Sequence, residues 1–238
     1  MTGNTGIKWY HSEQLKVVAA ASMLIDHIGA VLIENTVLYE NVNWTIAAVI
    51  CRLIGRIAFP LFCFLLVEGF IHTSNIKKYI ARIGLFTLIS EVPFDLALFG
   101  RITLYRQNVF FTLFIGLLML LAVQAVEQKM ASLIYKGIIQ GLIVVLACGL
   151  SFFLLTDYSY MGILLIAVLY FLRNDTKKKC IAGGILFLYE LTSVFAFVMI
   201  YRYTGKKGES KIPKQAFYWF YPLHLLVLWG IRYTVCGY

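Results

Sequence analysis

The first apolar segment of the chain carries the residues best suited to acid–base chemistry. Lys16 and His27 are eleven residues apart, which is about 1,100° of helix and within about 20° of three full turns, so both lie on one helix face. The helical rise separates them by about 16 Å, which puts Lys16 near a membrane boundary and His27 deep in the segment. A neutral imidazole at that depth can accept a proton near neutral pH.

Asp26 precedes His27 and therefore points to a different side of the same helix. Ionisable side chains inside membrane-spanning segments are costly, so each is a candidate functional residue. We expect Asp26 to contact a neighbouring helix or a basic residue of the next apolar segment. The alternative is that Asp26 and His27 form a polar pair that only holds helices together.

Two arginines lie in the second apolar segment. Arg52 and Arg56 are four residues apart and share a helix face, where neither can face lipid cheaply. They require carboxylates, for which Asp26 and Glu68 are candidates, or a phosphate-bearing ligand that a guanidinium binds through two hydrogen bonds. Pro60, in the middle of the same run, predicts a kink or a break.

Further polar side chains occur in two later segments. Asn108 and Thr112 are four residues apart and could hydrogen-bond to a substrate or to a helix. His224 is a second deep histidine, beside the helix-breaking Pro222. His27 and His224 alone are too few ligands for a metal, so we expect no metal site.

The composition excludes most classes of protein. Of the 238 residues 61% are hydrophobic and only 14% are charged, whereas about a quarter of the residues of a soluble domain are charged. We predict an all-α polytopic membrane protein, one domain over residues 1–238. It is a bundle of about eight (seven to ten) transmembrane helices, with kinked or broken helices around a central cavity. The apolar runs cover residues 15–33, 43–71, 79–99, 108–126, 133–155, 159–172, 180–201 and 215–235.

Charge in the loops predicts the orientation. Loop 34–43 contains Glu34 and Glu40 but no Lys or Arg, so we expect it outside and the N-terminus in the cytoplasm, as in a multi-pass protein of the inner (cytoplasmic) membrane. Segments 173–179 and 202–214 are both basic, yet one apolar run separates them. Either one basic loop faces outward, or residues 180–201 dip in and return as two short pieces, which irregular backbone lining a cavity allows.

The net charge and the cysteines indicate which partners and bound groups to expect. The chain has 21 Lys and Arg against 12 Asp and Glu, and such an excess on a membrane protein favours contact with anionic lipid over nucleic acid. Its five cysteines form no CxxC pair, so we expect neither a disulfide nor a zinc site.

In several segments the chain resembles the TraX family, and the resemblance extends in order over nearly the whole sequence. That family is named for acetylating the N-terminus of conjugative pilin and is similar to small members of the wider transmembrane acyltransferase superfamily. The segments that carry the resemblance are Leu15-Lys16, 23–29 (Met-Leu-Ile-Asp-His-Ile-Gly), 55–62 (Gly-Arg-Ile-Ala-Phe-Pro-Leu-Phe), 68–70 (Glu-Gly-Phe), 205–208 (Gly-Lys-Lys-Gly) and 217–225 (Phe-Tyr-Trp-Phe-Tyr-Pro-Leu-His-Leu).

The resemblance implies transfer of an acyl group, expected to be acetyl, from cytoplasmic acetyl-CoA to a hydroxyl or amine of a pilin N-terminus, another envelope protein or a glycan. It implies that Lys16-x10-His27 corresponds to the Arg-x10-His pair of related O-acetyltransferases, with His27 as general base. Asn108 or His224 would polarise the thioester carbonyl. The candidate catalytic residues are His27, Asp26, Asn108 and His224, and the candidates for holding the CoA phosphates are Lys16, Arg52, Arg56, Lys206 and Lys207.

Two other functions remain open at this point. Deep charges and broken helices also occur in transporters and flippases, here of a small anionic substrate. A non-catalytic assembly factor is the third hypothesis. The expected partners are acyl-CoA, membrane lipid and an unidentified acceptor, with self-association left open.

Overall fold

A computed structural model describes residues 9–36, 40–209 and 212–236, and its architecture is all-α, as the sequence predicted. Near the start, α1 continues into a π-helical turn (Gly29–Glu34), and a 3₁₀ turn (Leu188–Ser193) separates α9 from α10. The helices are α1 (Ser12–Ile28), α2 (Val42–Gly55), α3 (Ala58–His72), α4 (Ile76–Ile89), α5 (Glu91–Phe99), α6 (Val109–Lys129), α7 (Leu133–Phe153), α8 (Ser159–Phe171), α9 (Thr176–Leu186), α10 (Val194–Tyr201) and α11 (Lys214–Cys236).

Each predicted apolar run corresponds to one helix or to a broken pair of helices. Among the described residues, four stretches are long and apolar enough to cross a membrane: Ser12–Glu34, Val42–His72, Val109–Lys129 and Leu133–Phe153. The last of these is α7, in which only Ala147 and Ser151 are buried, as expected for a helix that mostly faces lipid. The count of about eight spans stays a prediction. Cys51, Cys63, Cys148 and Cys180 are free thiols. The side chain of Cys236 lies outside the described part of the chain.

The break between α2 and α3 has a local cause. Pro60 has no backbone N–H, so the carbonyl of Arg56, four residues earlier, loses its helical partner. The helix accordingly ends at Gly55 and begins again at Ala58. Pro60 then falls in the first turn of α3, where proline is tolerated. The predicted interruption is confirmed, and it leaves the Arg56 backbone at the break.

The segment 180–201 dips in and returns. The chain reverses at Glu190 and Leu191. Leu191 has a φ of +41°, which lies in the left-handed region. Both ends of the segment contact one aromatic ring, because Lys179 Nζ lies 5.1 Å and the Tyr203 ring 5.1 Å from the centroid of Phe64. The two basic segments that flank the hairpin therefore lie at the same end of the bundle, as the second alternative predicts.

That end of the bundle, where α1 begins and where residues 72–78, 173–179 and 202–208 lie, is called the basic end. The chain before α1 is tied to it, since the Trp9 backbone N–H donates to the Arg202 carbonyl at 2.9 Å. Loop 204–208 also provides a hydrogen-bond acceptor for the first turn of α1, because the Ser12 backbone N–H donates to the Lys206 carbonyl. The core lies between α1, α3, α6 and α8, with Leu15, Leu61, Leu117 and Ile166 fully buried.

Gly55 allows α1 and α2 to approach closely. A Cβ at this position would overlap the Asp26 carboxylate. We predict that Gly55→Ala destabilises the protein by about 1–3 kcal/mol, as overpacking does. Gly137→Ala is the control, because no heavy atom lies within 4 Å of its Cβ position. Denaturant titration in detergent measures both, and equal stability of the two variants would contradict the packing described.

The α9–α10 hairpin predicts which positions share a side of the membrane. In a variant with serine at all five cysteine positions, Lys178→Cys and Glu209→Cys should react with an impermeant maleimide from one side. Arg106→Cys, in the loop before α6 at the opposite end, should react from the other side. Reaction of positions 178 and 209 from opposite sides would mean that the segment spans instead of returning.

Candidate functional site

The two deep histidines predicted from the sequence form a direct pair. His27 Nδ1 lies 2.6 Å from His224 Nε2, and the two rings stack with centroids 4.9 Å apart. His27 comes from the last turn of α1 and His224 from the middle of α11. The pair therefore joins the first and the last helix of the chain.

A backbone carbonyl fixes the direction of the hydrogen bonds. His224 Nδ1 lies 2.6 Å from the carbonyl oxygen of Phe220, and a carbonyl can only accept, so this nitrogen carries the hydrogen. Burial disfavours a charged ring, so His224 Nε2 is the acceptor and His27 Nδ1 donates to it. The remaining lone pair belongs to His27 Nε2. His27 is thus set up to accept a proton.

Asp26 faces α2, as expected from its position on the helix. Arg52 Nη1 donates to Asp26 Oδ2 at 2.5 Å, and Arg52 Nε lies 3.6 Å from Glu34. The expectation that Asp26 contacts a basic residue of the next segment is confirmed. Gly55 lies directly against the Asp26 carboxylate.

Arg56 pairs with a residue that is distant in sequence. Its Nε lies 2.8 Å from Glu190 Oε2 at the turn of the α9–α10 hairpin. The neighbouring Thr192 hydroxyl donates to the Leu53 carbonyl, so the hairpin turn is anchored to the end of α2. Glu68, the other candidate partner, lies instead beside His72 at the end of α3.

His27 lines a small cavity, called here the inner chamber, with a volume of about 40 Å³. Burial raises the pKa of Asp157, which belongs to the loop between α7 and α8, against the opposing effect of Arg106. The Tyr158 ring stacks on Phe59 at 3.6 Å. The chamber is lined by Met23, Asp26, His27, Gly55, Ala58, Phe59, Phe62, Val109, Asp157, Tyr158 and Tyr221.

A larger cavity, the outer cavity, has a volume of about 160 Å³ and leads towards the basic end. It shares four lining residues with the inner chamber: Met23, Phe62, Val109 and Tyr221. Between these and its mouth the walls are apolar and aromatic, with Leu65, Ile83 and Leu113 among them. The two cavities therefore adjoin, with Lys16 and Arg82 lining the outer cavity and His27 lining the inner chamber.

Two cations stand at the mouth of the outer cavity, Lys16 from α1 and Arg82 from α4. Lys16 Nζ pairs with Glu13 at 2.8 Å and lies 5.7 Å from the Phe217 ring centroid. The Arg82 guanidinium lies 5.4 Å from the ring centroid of Tyr218. Cation–π contacts of this kind hold a charged group in place.

Lys206 and Lys207 lie on the capping loop of α1, at the same end as Lys16. Their carbonyls accept from the backbone N–H groups of Ser12 and Glu13, and their side chains are exposed. The structure thus brings Lys16, Lys206 and Lys207 to one end. Arg52 and Arg56 lie elsewhere, since Arg52 contacts Asp26, ten residues or about 15 Å further along α1.

Asn108 caps α6 and is fully engaged. Its side-chain nitrogen donates to Glu91 at 2.5 Å and to the Thr87 carbonyl at 3.0 Å, and its oxygen accepts from the Phe110 N–H. Neither amide hydrogen is left for a substrate carbonyl. The Thr112 hydroxyl donates to the Asp157 carbonyl and lies 3.0 Å from the Thr156 hydroxyl, so it contacts the protein and not a cavity.

Sequence reasoning missed most residues of the cavity walls, among them Arg82, Asp157 and Tyr221. Tyr221 precedes His224 by three residues, and that spacing on one helix face is a signal that could have found it. Asp157 stands in a loop between two apolar runs, where position in the sequence says nothing of burial. In the described part of the chain, no three His, Cys, Asp or Glu side chains converge to hold a metal ion.

Because Arg56 and Glu190 form an ion pair, we predict that each single variant is less stable than the double variant. Removing one partner, as in Arg56→Met or Glu190→Leu, leaves a charge uncompensated and should cost about 3 kcal/mol of stability. The double variant should recover most of that loss, because it removes both charges. A double-mutant cycle by denaturant titration measures this, and additive losses would show that the two residues do not interact.

Two comparisons with known proteins found a match to this chain. The family model described as TraX protein matches residues 11–232. A relative, the probable fimbrial assembly protein FimC (serogroup H1) of Dichelobacter nodosus, is 29% identical over 245 residues, covering 90% of this chain and 93% of its own length. No solved structure matches significantly. The matched region contains both cavities, the histidine pair and the basic residues at the mouth, and on this evidence the chain belongs to the TraX family.

Proposed function

We propose that this protein is an integral-membrane acyltransferase that moves an acetyl group from acetyl-CoA to a hydroxyl or amine. One observation carries the proposal: a cavity lined by two cations adjoins a chamber lined by His27, whose Nε2 holds a lone pair. A polyanionic donor with a reactive thioester at the end of a long arm fits such an arrangement. Enzymes commonly place the base in a narrow, largely apolar pocket of this type.

In this proposal Lys16 and Arg82 bind the phosphates of the donor. A guanidinium binds a phosphate through paired hydrogen bonds, and an ammonium acts as a point charge. Lys206 and Lys207, exposed at the same end, add to the positive potential there. Arg52 and Arg56 do not take part, because they line neither cavity and pair with Asp26 and Glu190 away from the basic end.

The pantetheine arm follows the apolar wall of the outer cavity, and the thioester stops beside His27. His27 Nε2 removes the proton of the acceptor as its oxygen or nitrogen attacks the thioester carbon. The tetrahedral intermediate collapses with cleavage of the carbon–sulfur bond. The CoA thiolate leaves and receives the proton from the imidazolium, so the products are acylated acceptor and free CoA.

His224 and Asp26 act in this scheme as positioning residues. His224 accepts the hydrogen of His27 Nδ1 and is itself oriented by the Phe220 carbonyl, which is the base–orienter arrangement of many general bases. Asp26, paired with Arg52, fixes the rotation of α1. Neither residue has to touch the substrate to affect the reaction.

The acceptor is proposed to belong to the cell envelope. The relative from Dichelobacter nodosus is named a probable fimbrial assembly protein, so a fimbrial subunit is the first acceptor to test. We propose that the basic end faces the cytoplasm, where acetyl-CoA is made, in accordance with the positive-inside rule. All eight apolar runs would then be embedded in the membrane.

His27→Ala is predicted to abolish transfer without loss of donor binding. Removing a general base costs about 10²–10⁴-fold in rate, whereas the phosphates are held at the other end of the cavity. Free thiol released from acetyl-CoA in the presence of cell-envelope extract measures the rate. His72→Ala is the control, because that side chain is exposed. Undiminished thiol release by His27→Ala would contradict the mechanism, and transport without thiol release would indicate a transporter.

Arg82→Ala and Lys16→Ala are each predicted to weaken acetyl-CoA binding about tenfold, as loss of a charged hydrogen bond does. Acetyl-pantetheine, which lacks the CoA diphosphate, should bind both variants and the wild type equally. Lys129→Ala, exposed at the end of α6, serves as the control. If Arg82→Ala weakened both ligands to the same degree, Arg82 would have no role in binding phosphate.

A further inference from the structure

The proposed reaction lacks a group to stabilise the oxyanion that forms on the thioester carbonyl. Asn108 donates its two amide hydrogens to Glu91 and to the Thr87 carbonyl. Both ring nitrogens of His224 are engaged, one with Phe220 and one with His27. The two residues that the sequence suggested for polarising the carbonyl are therefore occupied by the protein.

Tyr221 stands where such a group is required. It is one of the four residues that line both cavities, so it marks the junction between the outer cavity and the inner chamber. Its ring lies edge-on to His27 and to His224, with centroid distances of 5.9 and 5.8 Å. The ring also contacts Phe110 at 5.2 Å, and the residue is 3% exposed, so its position is well fixed.

The start of α6 lies beside Tyr221. Val109 lines both cavities together with Tyr221, and it is the first residue of a 21-residue helix, where the backbone N–H has no helical partner. The cap residue Asn108 satisfies the next N–H, that of Phe110.

Helix polarity favours the same role. The first turn of a long helix carries a partial positive charge, which stabilises negative charge nearby. A preorganised donor of this kind, in a site with little water, is an effective stabiliser of an oxyanion.

We infer that Tyr221 is a further catalytic residue, which donates its hydroxyl hydrogen to the thioester carbonyl oxygen while His27 removes the acceptor proton. The inference rests on the proposed function and extends it. As the acceptor attacks, negative charge grows on the carbonyl oxygen and the Tyr221 hydrogen bond shortens. When the carbon–sulfur bond breaks, the carbonyl is restored and the tyrosine keeps its proton.

The test uses the infrared carbonyl stretch of bound [1-¹³C]acetyl-CoA, because this signal needs no acceptor. A hydrogen bond from Tyr221 should lower the stretching frequency in the wild-type protein, and Tyr221→Phe should raise it while leaving affinity for the donor unchanged. Tyr170→Phe is the matched control: that tyrosine is also buried, but its hydroxyl donates to Glu127, outside both cavities. It should keep the wild-type frequency.

Each outcome is decisive. If acetyl-CoA binds and the frequency is the same in the wild type and in Tyr221→Phe, the inference is wrong and the proposed function stands. If acetyl-CoA does not bind to folded wild-type protein, the proposed function itself fails. Where Tyr221→Phe does not fold, 3,5-difluorotyrosine at position 221 keeps the shape and strengthens the donor, so the frequency should fall further. An unchanged frequency would again overturn the inference.

With an acceptor in hand, kinetics gives a second reading. Loss of one oxyanion donor lowers kcat about 10²–10³-fold, so Tyr221→Phe should reduce kcat by about that factor with an unchanged KM for acetyl-CoA. Tyr170→Phe should stay within about threefold of wild type. A change confined to KM would assign Tyr221 to donor binding and contradict its role in the transition state.

Discussion

The buried ion pair between Asp26 and Arg52 sets the geometry on which the site depends. A charge in an apolar bundle needs a partner, so Asp26 must face α2, and this fixes the rotation of α1. The next residue, about 100° further round the helix, then faces α11. His27 meets His224 for this reason, and the lone pair on His27 Nε2 follows from the chain of acceptors that ends at the Phe220 carbonyl.

The same constraint accounts for the broken helices around the chamber. Arg56 lies at the break between α2 and α3, and Glu190 lies at the turn where α9 gives way to α10. Irregular backbone is tolerated at such depth only where it is buried in protein or lines a cavity. The helix breaks, the buried charges and the inner chamber therefore occur together. Unpaired backbone groups and charges in an apolar bundle are stable only where they contact each other or line a cavity.

Periodicity and charge predicted much of this molecule, and contacts distant in sequence account for most of the rest. The shared face of Lys16 and His27 needed only helix geometry, and the interruption near Pro60 followed from a missing N–H. No local pattern indicated that Glu190 would neutralise Arg56, 134 residues away, or that Glu91 would occupy Asn108. Such partners depend on which helices pack together, which one sequence does not specify.

The central claim is that His27 is a neutral base with its hydrogen on Nδ1 and its lone pair on Nε2. Nitrogen-15 NMR of protein labelled in histidine, with His27→Ala and His224→Ala to assign the signals, measures this directly. The account predicts that near neutral pH His27 has a protonated Nδ1 and an unprotonated Nε2, and that the two His224 nitrogens show the same pattern. A hydrogen on His27 Nε2, or a doubly protonated His27, would contradict it.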